Sequence, residues 1–511
     1  MRRIGVDVGG TNTDAVLVED GTVRSTVKTP TTEDVTTGIR TGLAELFGEN
    51  PDNAAGVDAI MIGTTHFVNA VVQRKSLNRA AALRVCLPAC ATLEPMVDWP
   101  EDLSQIANGG HFLVHGGHEY DGRPITALDE KAVANAGRGM RNSGVTAAAV
   151  TAVFSPLTTE CEDRAAEILL QEHPDLHITK SSALGRIGLL ERENAALLNA
   201  SLIDLSKKTI DAFQTAIAES GLNAPLYISQ NDGTVVDAET ARDQPVYSFA
   251  SGPTNSMRGG AHLADIDEAI VIDVGGTTTD IGHLRSGYPR EANNVVDIGG
   301  VRTLFRMPDL LSIGLGGGTV VTTDPVTIGP QSVAHRLTDE ALVFGGVTTT
   351  MTDMAVAANL LELGDANRVE HIGRELARDI MAQAHQILWE SVDRMKIDAS
   401  PVPVLAVGGG AMLIPEHMDG ISEVIQVQHF AVANAVGAAI GQISGEVDHI
   451  FRDMDRDAFL AAAEQMAYEQ AALAGAAPES LKVVDVETIP LAYLPGRSVR
   501  VRLRVVGDLP S

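Results

Sequence analysis

An eight-residue phrase occurs twice in this chain. Asp7-Val8-Gly9-Gly10-Thr11-Asn12-Thr13-Asp14 returns as Asp273-Val274-Gly275-Gly276-Thr277-Thr278-Thr279-Asp280, identical at seven of eight positions. Each copy follows a strand-like run, Arg3 to Val6 and Ala269 to Ile272, and precedes more apolar residues. The pattern is strand, Gly-Gly hairpin, strand. Paired glycines let the backbone approach an anion and aim N–H groups at it, while flanking hydroxyls and carboxylates can hold a phosphate and its metal ion. One DxGGT alone would be an ordinary hairpin turn. Its recurrence a domain's length away points to a nucleotide clamped between two similar halves.

At 511 residues the chain is long enough for two or three domains, and 44% hydrophobic with 21% charged content is that of a folded globular protein. The net charge of −29 repels nucleic acid and acidic membrane faces. Bound phosphate therefore needs local help from metal and backbone N–H groups, and the acidic surface itself is accounted for by solubility. The three cysteines, Cys86, Cys90 and Cys161, argue against a disulfide framework and for a reducing compartment. Cys86 and Cys90 lack a His or Cys cluster to complete a metal set. The sequence opens without a signal-like apolar stretch and no run reaches membrane-spanning length, so a cytoplasmic protein is expected.

Strands alternate with helices along the chain, which predicts α/β layers. After the first hairpin come a strand at Val23 to Lys28, a helix near Glu33 to Phe47, a buried strand Val57 to Thr65, and a helix Phe67 to Arg74 opened by Gly63-Thr64-Thr65-His66, a second possible anion-binding turn. Then follow a strand Val145 to Phe154, a helix Glu160 to Glu172, a strand Leu176 to Ser181 and a long helix Leu189 to Ser220. The second half offers a strand Leu226 to Ser229, a helix start at Ser251-Gly252-Pro253, and a glycine-dense loop Gly314 to Thr319. Helices near Asp353 to Leu361 and Val369 to Met395 precede an apolar run Val402 to Val407 that enters Gly408-Gly409-Gly410. Strand into triple glycine is the third expected piece of a nucleotide clamp, or else a tight αβ turn.

These three pieces in this order resemble the acetate kinase, sugar kinase, heat-shock ATPase and actin superfamily. DVGGTNTDAVLVEDG at the start, GTTHFVNAVVQR at 63 to 74, SGPTNS at 251 to 256, DVGGTTTDIG at 273 to 282, IGLGGGTV at 313 to 320 and AVANAVGAAI at 431 to 440 narrow it. Over roughly residues 1 to 445 the chain resembles the hydantoinase/oxoprolinase A family. The resemblance implies a duplicated actin-like ATPase fold of two similar halves, residues 1–185 and 186–445, followed by a small C-terminal α+β appendage over 446–511. It also implies ATP and Mg²⁺ as cofactors, ATP-dependent opening of a small cyclic amide such as a hydantoin, 5-oxoproline or lactam, and a second, B-type subunit in an oligomeric assembly.

Roles follow at the matching positions. Asp7 and Asp273 would face Mg²⁺, directly or through its waters. Gly9, Gly10, Gly275 and Gly276 would offer N–H groups to phosphates, with hydroxyls from Thr11, Thr13, Thr277 and Thr279. Gly408, Gly409 and Gly410 would line the adenosine. Positive charge is scarce in these loops, so metal and backbone would carry the charge stabilisation. Asp14 and Asp280 would orient a lytic water or the metal's outer shell, or simply cap the turn. Thr64, Thr65 and His66 would contact substrate or phosphate, or His66 would be a local hydrogen-bonder. Asn69, Arg74, Glu191, Arg192 and Asn231 are further candidates for a substrate wall, Glu191 and Arg192 equally for a solvated face. Gly316 and Gly317 would approach substrate, or the Gly314 to Gly318 loop would be a bend.

The chain departs from long A components in having only a helix, Arg456 to Ala474, and strands Lys482 to Ala492 and Ser498 to Val506 after the second half. Two other classes stay open. One is an acetone carboxylase-like ATP-dependent ligase subunit, and the other a regulatory actin-like ATPase that opens and closes around nucleotide.

Overall fold

The computed structural model describes every residue except 10–11, 31–34, 49–55, 186, 293–294, 492–495 and 511. At its centre are two sheets of like topology. In the first, the antiparallel hairpin of Arg2–Val8 and Asn12–Glu19 is continued on one side by Thr22–Pro30. On its other side run Ala59–Thr64 and Leu226–Ser229, both parallel to Arg2–Val8, with Val235–Asp237 at the edge. In the second, the hairpin of Ala269–Val274 and Thr279–Arg285 is flanked by the parallel strands Val402–Val407 and Ile421–Ile425, with Leu310–Ile313 and Tyr288–Pro289 on the outer side. Hairpin, outer strand and two parallel strands recur in the same order, which is the duplicated actin-like arrangement. Ala59–Thr64 is buried along its whole length, as a parallel strand covered on both faces must be.

Amphipathic helices cover the outer faces. Ile39, Leu43 and Leu46 of Val35–Phe47 and Ile210, Phe213 and Ala216 of Leu189–Glu219 pack on Ile4, Val6 and Ile62. Met351–Ala357 and Arg374–Met395 do the same for the second sheet. Between the sheets lie two helices made largely of small residues, Ser251–Ala264 and Ala433–Ala439. A Cβ on Gly259 would collide with the Ala433 carbonyl, one on Gly437 with the Asn255 carbonyl, and one on Gly5 with the Ala435 carbonyl. Glycine at these crossings lets the backbones touch, which brings the two hairpins into one cleft.

The halves divide elsewhere than at residue 185. After Gln73 the chain leaves the first sheet and builds a separate parallel sheet in the order Asn108–His115, Ala80–Leu87, Ala147–Ala152, His177–Lys180. It returns through Leu189–Glu219 to Leu226–Ser229 and Val235–Asp237, which pair within the first sheet. The first half thus reaches Asp243 and carries an inserted subdomain, because parallel neighbours need a long crossover and are not adjacent in sequence. Two of the inserted strands escaped the sequence reading. Ala80–Leu87 carries Arg84 at its centre, and Asn108–His115 opens on Gly109-Gly110. Arg84 is tolerated there, fully buried, because its Nε donates to Glu193 Oε1 of the long helix at 2.8 Å.

The C-terminal helix and strands stand where expected, at Arg456–Leu473, Lys482–Pro490 and Ser498–Gly507. Ile443–Arg452 pairs with Ser498–Gly507 to complete a three-stranded antiparallel sheet, so the appendage begins before residue 446. Among the described residues no helix is long and apolar enough to cross a membrane.

Candidate functional site

Strand register sets the site. Asp7 lies directly opposite Asp14 in the first hairpin, and Asp273 opposite Asp280 in the second. Directly opposed residues share a face, and like charges there repel. Each hairpin answers with the strand beside it. In the first, Lys28, in register with Asp14, places Nζ 2.8 and 3.0 Å from the two Asp14 oxygens and 3.1 Å from the Ala431 carbonyl. In the second, Ser312, in register with Asp280, donates its hydroxyl to Asp280 Oδ1. Asn434, at the start of Ala433–Ala439, donates Nδ2 to Asp7 Oδ2 and to Asp14 Oδ2, both at 2.9 Å. Ser256 hydrogen-bonds Asp273.

Burial dominates the electrostatics. It pushes Asp7 up to about 7, helped by the charges of Asp14 and Asp273 and opposed by the Asn434 hydrogen bond and Lys28. Burial also raises Asp273, against the Ser256 hydrogen bond and Lys28, and lifts Asp280 to about 6, against the Ser312 hydrogen bond. The charge of Asp273 is among those that raise Asp7, and that of Asp14 among those that raise Asp273.

The turns close alike. Gly9 N–H donates to Asn12 O at 3.0 Å and Gly275 N–H to Thr278 O at 2.9 Å, so these two donors, expected on phosphate, complete their own turns. Gly10 and Thr11 lie outside the described residues. Gly276 and Thr277 sit half-buried at the second turn. Thr13 and Thr279 are fully buried, one residue out of phase with Asp14 and Asp280, and therefore face away from the carboxylates. Thr279 Oγ1 donates to Leu315 O at 2.6 Å, and Thr13 packs towards Gly42 of Val35–Phe47. Strand alternation thus removes both threonines from the phosphate side.

The glycine loops split in role. Gly408 has φ +87°, and a Cβ there would overlap Asp273 Oδ1. Gly410 N–H donates to Val274 O at 2.7 Å, tying the triple glycine to the second hairpin. Gly409 is exposed, and a Cβ on it would meet nothing within 4 Å, which leaves open space against bare backbone. Gly316 and Gly317, expected at substrate, are buried beneath the hairpin instead. A Cβ on Gly316 would sit 2.8 Å from both Gly275 O and Thr277 N, Gly317 N–H donates to Gly275 O at 3.1 Å, and Thr352 Oγ1 donates to Gly317 O at 2.9 Å. Their backbone holds the turn's shape.

Asp7 borders a closed polar notch, too tight beside Gly63 to admit even a Cβ. Its Oδ1 is buried without a hydrogen-bond partner, as are both amide atoms of the fully buried Asn255. Gly63 stands in register with Asp7, and a Cβ there would lie 2.6 Å from that Oδ1 and 2.5 Å from Asn255 Nδ2. Buried polar atoms without partners are costly, so Oδ1 and the Asn255 amide are poised for a polar partner. Among the described residues no three or more His, Cys, Asp or Glu converge as a metal cage. One carboxylate from each hairpin fits magnesium, which keeps several waters and binds through one or two carboxylates plus phosphate oxygens.

The turn after Ala59–Thr64 adjoins this notch. Ser251 Oγ accepts from Thr64 N–H and donates to Thr64 O, each at 3.2 Å. Gly252, opening Ser251–Ala264, would bring a Cβ 3.5 Å from Thr65 Cγ2 and 4.0 Å from Asp7 Oδ1. Asn69 Nδ2 donates to Thr65 Oγ1 at 3.2 Å, and burial lowers His66, which keeps its imidazole neutral near pH 7. The remaining wall candidates serve structure. Arg74 closes its helix on Val71 O and pairs with Asp102. Arg192 is buried against Ser181 Oγ and Ala152 O. Glu191 pairs with Arg302. Asn231 is saturated by Val246 O, Arg306 O and Ala250 N–H.

Lys28, Asn434 and Asn255 carry the site and escaped the sequence reading. Lys28 supplies the positive charge that the loops lack. Its signal was the strand phase that sets it across from Asp14, while Asn434 is the lone polar side chain in an otherwise small apolar run, AVANAVGAAI.

Two family models match the chain, the hydantoinase/oxoprolinase N-terminal region over residues 3–173 and hydantoinase/oxoprolinase over residues 192–365. The chain is 26% identical over 466 residues, 86% of its length, to the caprolactamase subunit alpha of Pseudomonas jessenii. It is 24% identical over 448 residues, 81% of its length, to the acetophenone carboxylase gamma subunit of Aromatoleum aromaticum. It spans 65% and 59% of those two relatives, less than two thirds of either. The crystal structure of the ATP-dependent caprolactamase from Pseudomonas jessenii aligns with 99% of this chain and 88% of its own, with TM-score 0.81 and 20% identity. Nucleotide-free acetone carboxylase aligns with 100% of this chain and 88% of its own, with TM-score 0.69 and 16% identity. These two likenesses show the fold. By the two family models, which follow one another along the chain, the protein belongs to the hydantoinase/oxoprolinase family.

Proposed function

We propose that this chain uses MgATP to activate and open a small cyclic amide, a hydantoin, 5-oxoproline or lactam, as one subunit of a complex with a second subunit. The observation that carries the reading is the duplicated hairpin, whose two copies set Asp7 opposite Asp14 and Asp273 opposite Asp280 at matching register positions. The ATP-dependent caprolactamase likeness supports it.

Resonance makes an amide a poor electrophile and its nitrogen a poor leaving group. Transfer of the γ-phosphoryl group breaks its bond to ADP and forms one to the amide oxygen, giving a phosphorylated imidate. Water adds to that carbon, the ring nitrogen leaves as an amine, and a second water releases phosphate from the acyl phosphate. Asp7 and Asp273 would hold magnesium, which when bound neutralises phosphate charge. Gly276 and Thr277 would face the phosphates, as the repeated phrase implies for Gly10 and Thr11, and Gly409 the adenosine. Thr64, Thr65, Asn69 and neutral His66 would line the amide side, with Asp14 and Asp280 orienting a lytic water or the metal's outer shell. The test is stoichiometry. Equal amounts of ADP, phosphate and ring-opened amino acid are expected, and phosphate release without ring opening would overturn the reading.

A second reading is an ATP-dependent carboxylase-type subunit, favoured by the acetophenone carboxylase relative. Phosphate release stimulated by a ketone with bicarbonate, and not by any cyclic amide, would select it.

A further inference from the structure

Asp7 belongs to the first half, yet the side chains that surround it come from the two helices between the sheets. Asn434 grips Oδ2, and Asn255 faces the notch into which Oδ1 points. The Asn434 amide is itself locked, since its Oδ1 accepts from Ala435 N–H at 2.9 Å, which turns the NH₂ group towards the carboxylates. One nitrogen then serves two acids that would otherwise repel, Asp7 and Asp14. With Oδ2 so engaged, Asp7 presents Oδ1 alone to the notch beside Gly63.

We propose that Asn434 is a positioning residue for phosphoryl transfer. It fixes the Asp7 carboxylate so that Oδ1 is the oxygen offered to the nucleotide's divalent cation, and it makes that geometry depend on the second half being docked. Two further contacts cross the same seam. Lys28 reaches the Ala431 carbonyl three residues before Asn434, and Gly5 lets its strand lie against the Ala435 carbonyl of the Asn434 helix. Any separation of the halves would pull the amide from Asp7 and free its carboxylate to rotate. The inference rests on the nucleotide reading above, but not on which amide is the substrate.

The test compares Asn434→Ala with Asn434→Asp in the full chain. Alanine is the better helix former, so the short helix is kept while the donor is lost. Aspartate keeps the volume but sets a third carboxylate against two others. Mn²⁺ is titrated with a non-hydrolysable ATP analogue, and phosphate release is measured separately. Asn434→Ala is expected to weaken Mn²⁺ binding at least fivefold with its thermal midpoint within a few degrees of the parent. Asn434→Asp is expected to lose more turnover than Asn434→Ala, with KM for ATP within threefold. A packing role makes the opposite order, the isosteric aspartate tolerated and the alanine worse. That order, or Mn²⁺ binding by Asn434→Ala within twofold of the parent, overturns the proposal. If the parent releases phosphate with no cyclic amide but Asn434→Ala still loses Mn²⁺ affinity, the substrate reading fails and the positioning role stands.

Discussion

Lys28 and Ser312 occupy the same place in two copies of one motif. Each lies on the strand beside the hairpin, in register with its second aspartate, and each supplies that aspartate's partner. One is a cation and the other a hydroxyl. The duplication therefore keeps the backbone and the carboxylates but makes the site electrically lopsided, with its fixed positive charge on the first hairpin.

That asymmetry predicts unequal costs. Asp14 is buried while Lys28 is exposed, so Lys28→Met is expected to cost about 1–2 kcal/mol, between the values for exposed and buried pairs. Ser312→Ala removes one hydroxyl bond and should cost about 1 kcal/mol. Urea unfolding of both variants checks the order. A Lys28→Met midpoint equal to that of the parent would show that Asn434 alone satisfies Asp14.

The triple glycine separates fold from ligand. Gly408→Ala forces a Cβ into Asp273 Oδ1 at φ +87° and should cost both stability and nucleotide affinity. Gly409→Val meets nothing in the protein. It should fold with the parent's thermal midpoint and lose at least tenfold in affinity for a fluorescent ATP analogue. Unchanged affinity would remove Gly409 from the nucleotide surface.

The raised carboxyls set a pH dependence. Asp7 stands at about 7 and Asp280 at about 6, both above the unfolded value of about 4. A carboxyl raised on folding stabilises the fold fully below its unfolded value and loses that contribution as pH rises through the folded one. The ligand-free protein should therefore lose stability at these groups between about pH 4 and pH 7. A divalent cation competes with the Asp7 proton, so Mn²⁺ affinity should climb through the same upper range and level off above it. Titrations from pH 5.5 to 8.5 read this directly, and Asp7→Asn should flatten the curve.

The hairpins were legible because the repeated phrase joins strand period to turn chemistry, and Leu226–Ser229 and Val402–Val407 appeared at their full extent as apolar runs. What escaped were relationships between distant segments. Asn434 meets Asp7 across most of the chain, and no local pattern encodes that contact. The apolar run marks Leu226–Ser229 as a strand but not its partner, because parallel pairing with Ala59–Thr64 spans the whole inserted subdomain. At Gly316 and Gly317 glycine density signals close approach without saying to what, and the neighbour is the second hairpin. Thr13 and Thr279 are a phase error within a correct motif, since alternation places them behind the carboxylates.

MgATP-driven amide activation between the two hairpins is read out by phosphate release from the full chain, with any co-purifying subunit. The panel is 5-oxoproline, hydantoins, simple lactams, acetone and bicarbonate, run with the parent and with Asp273→Asn, which removes charge but little volume. Stimulation by a cyclic amide is expected in the parent, and its loss in Asp273→Asn at an unchanged thermal midpoint. Equal turnover by parent and Asp273→Asn would contradict it.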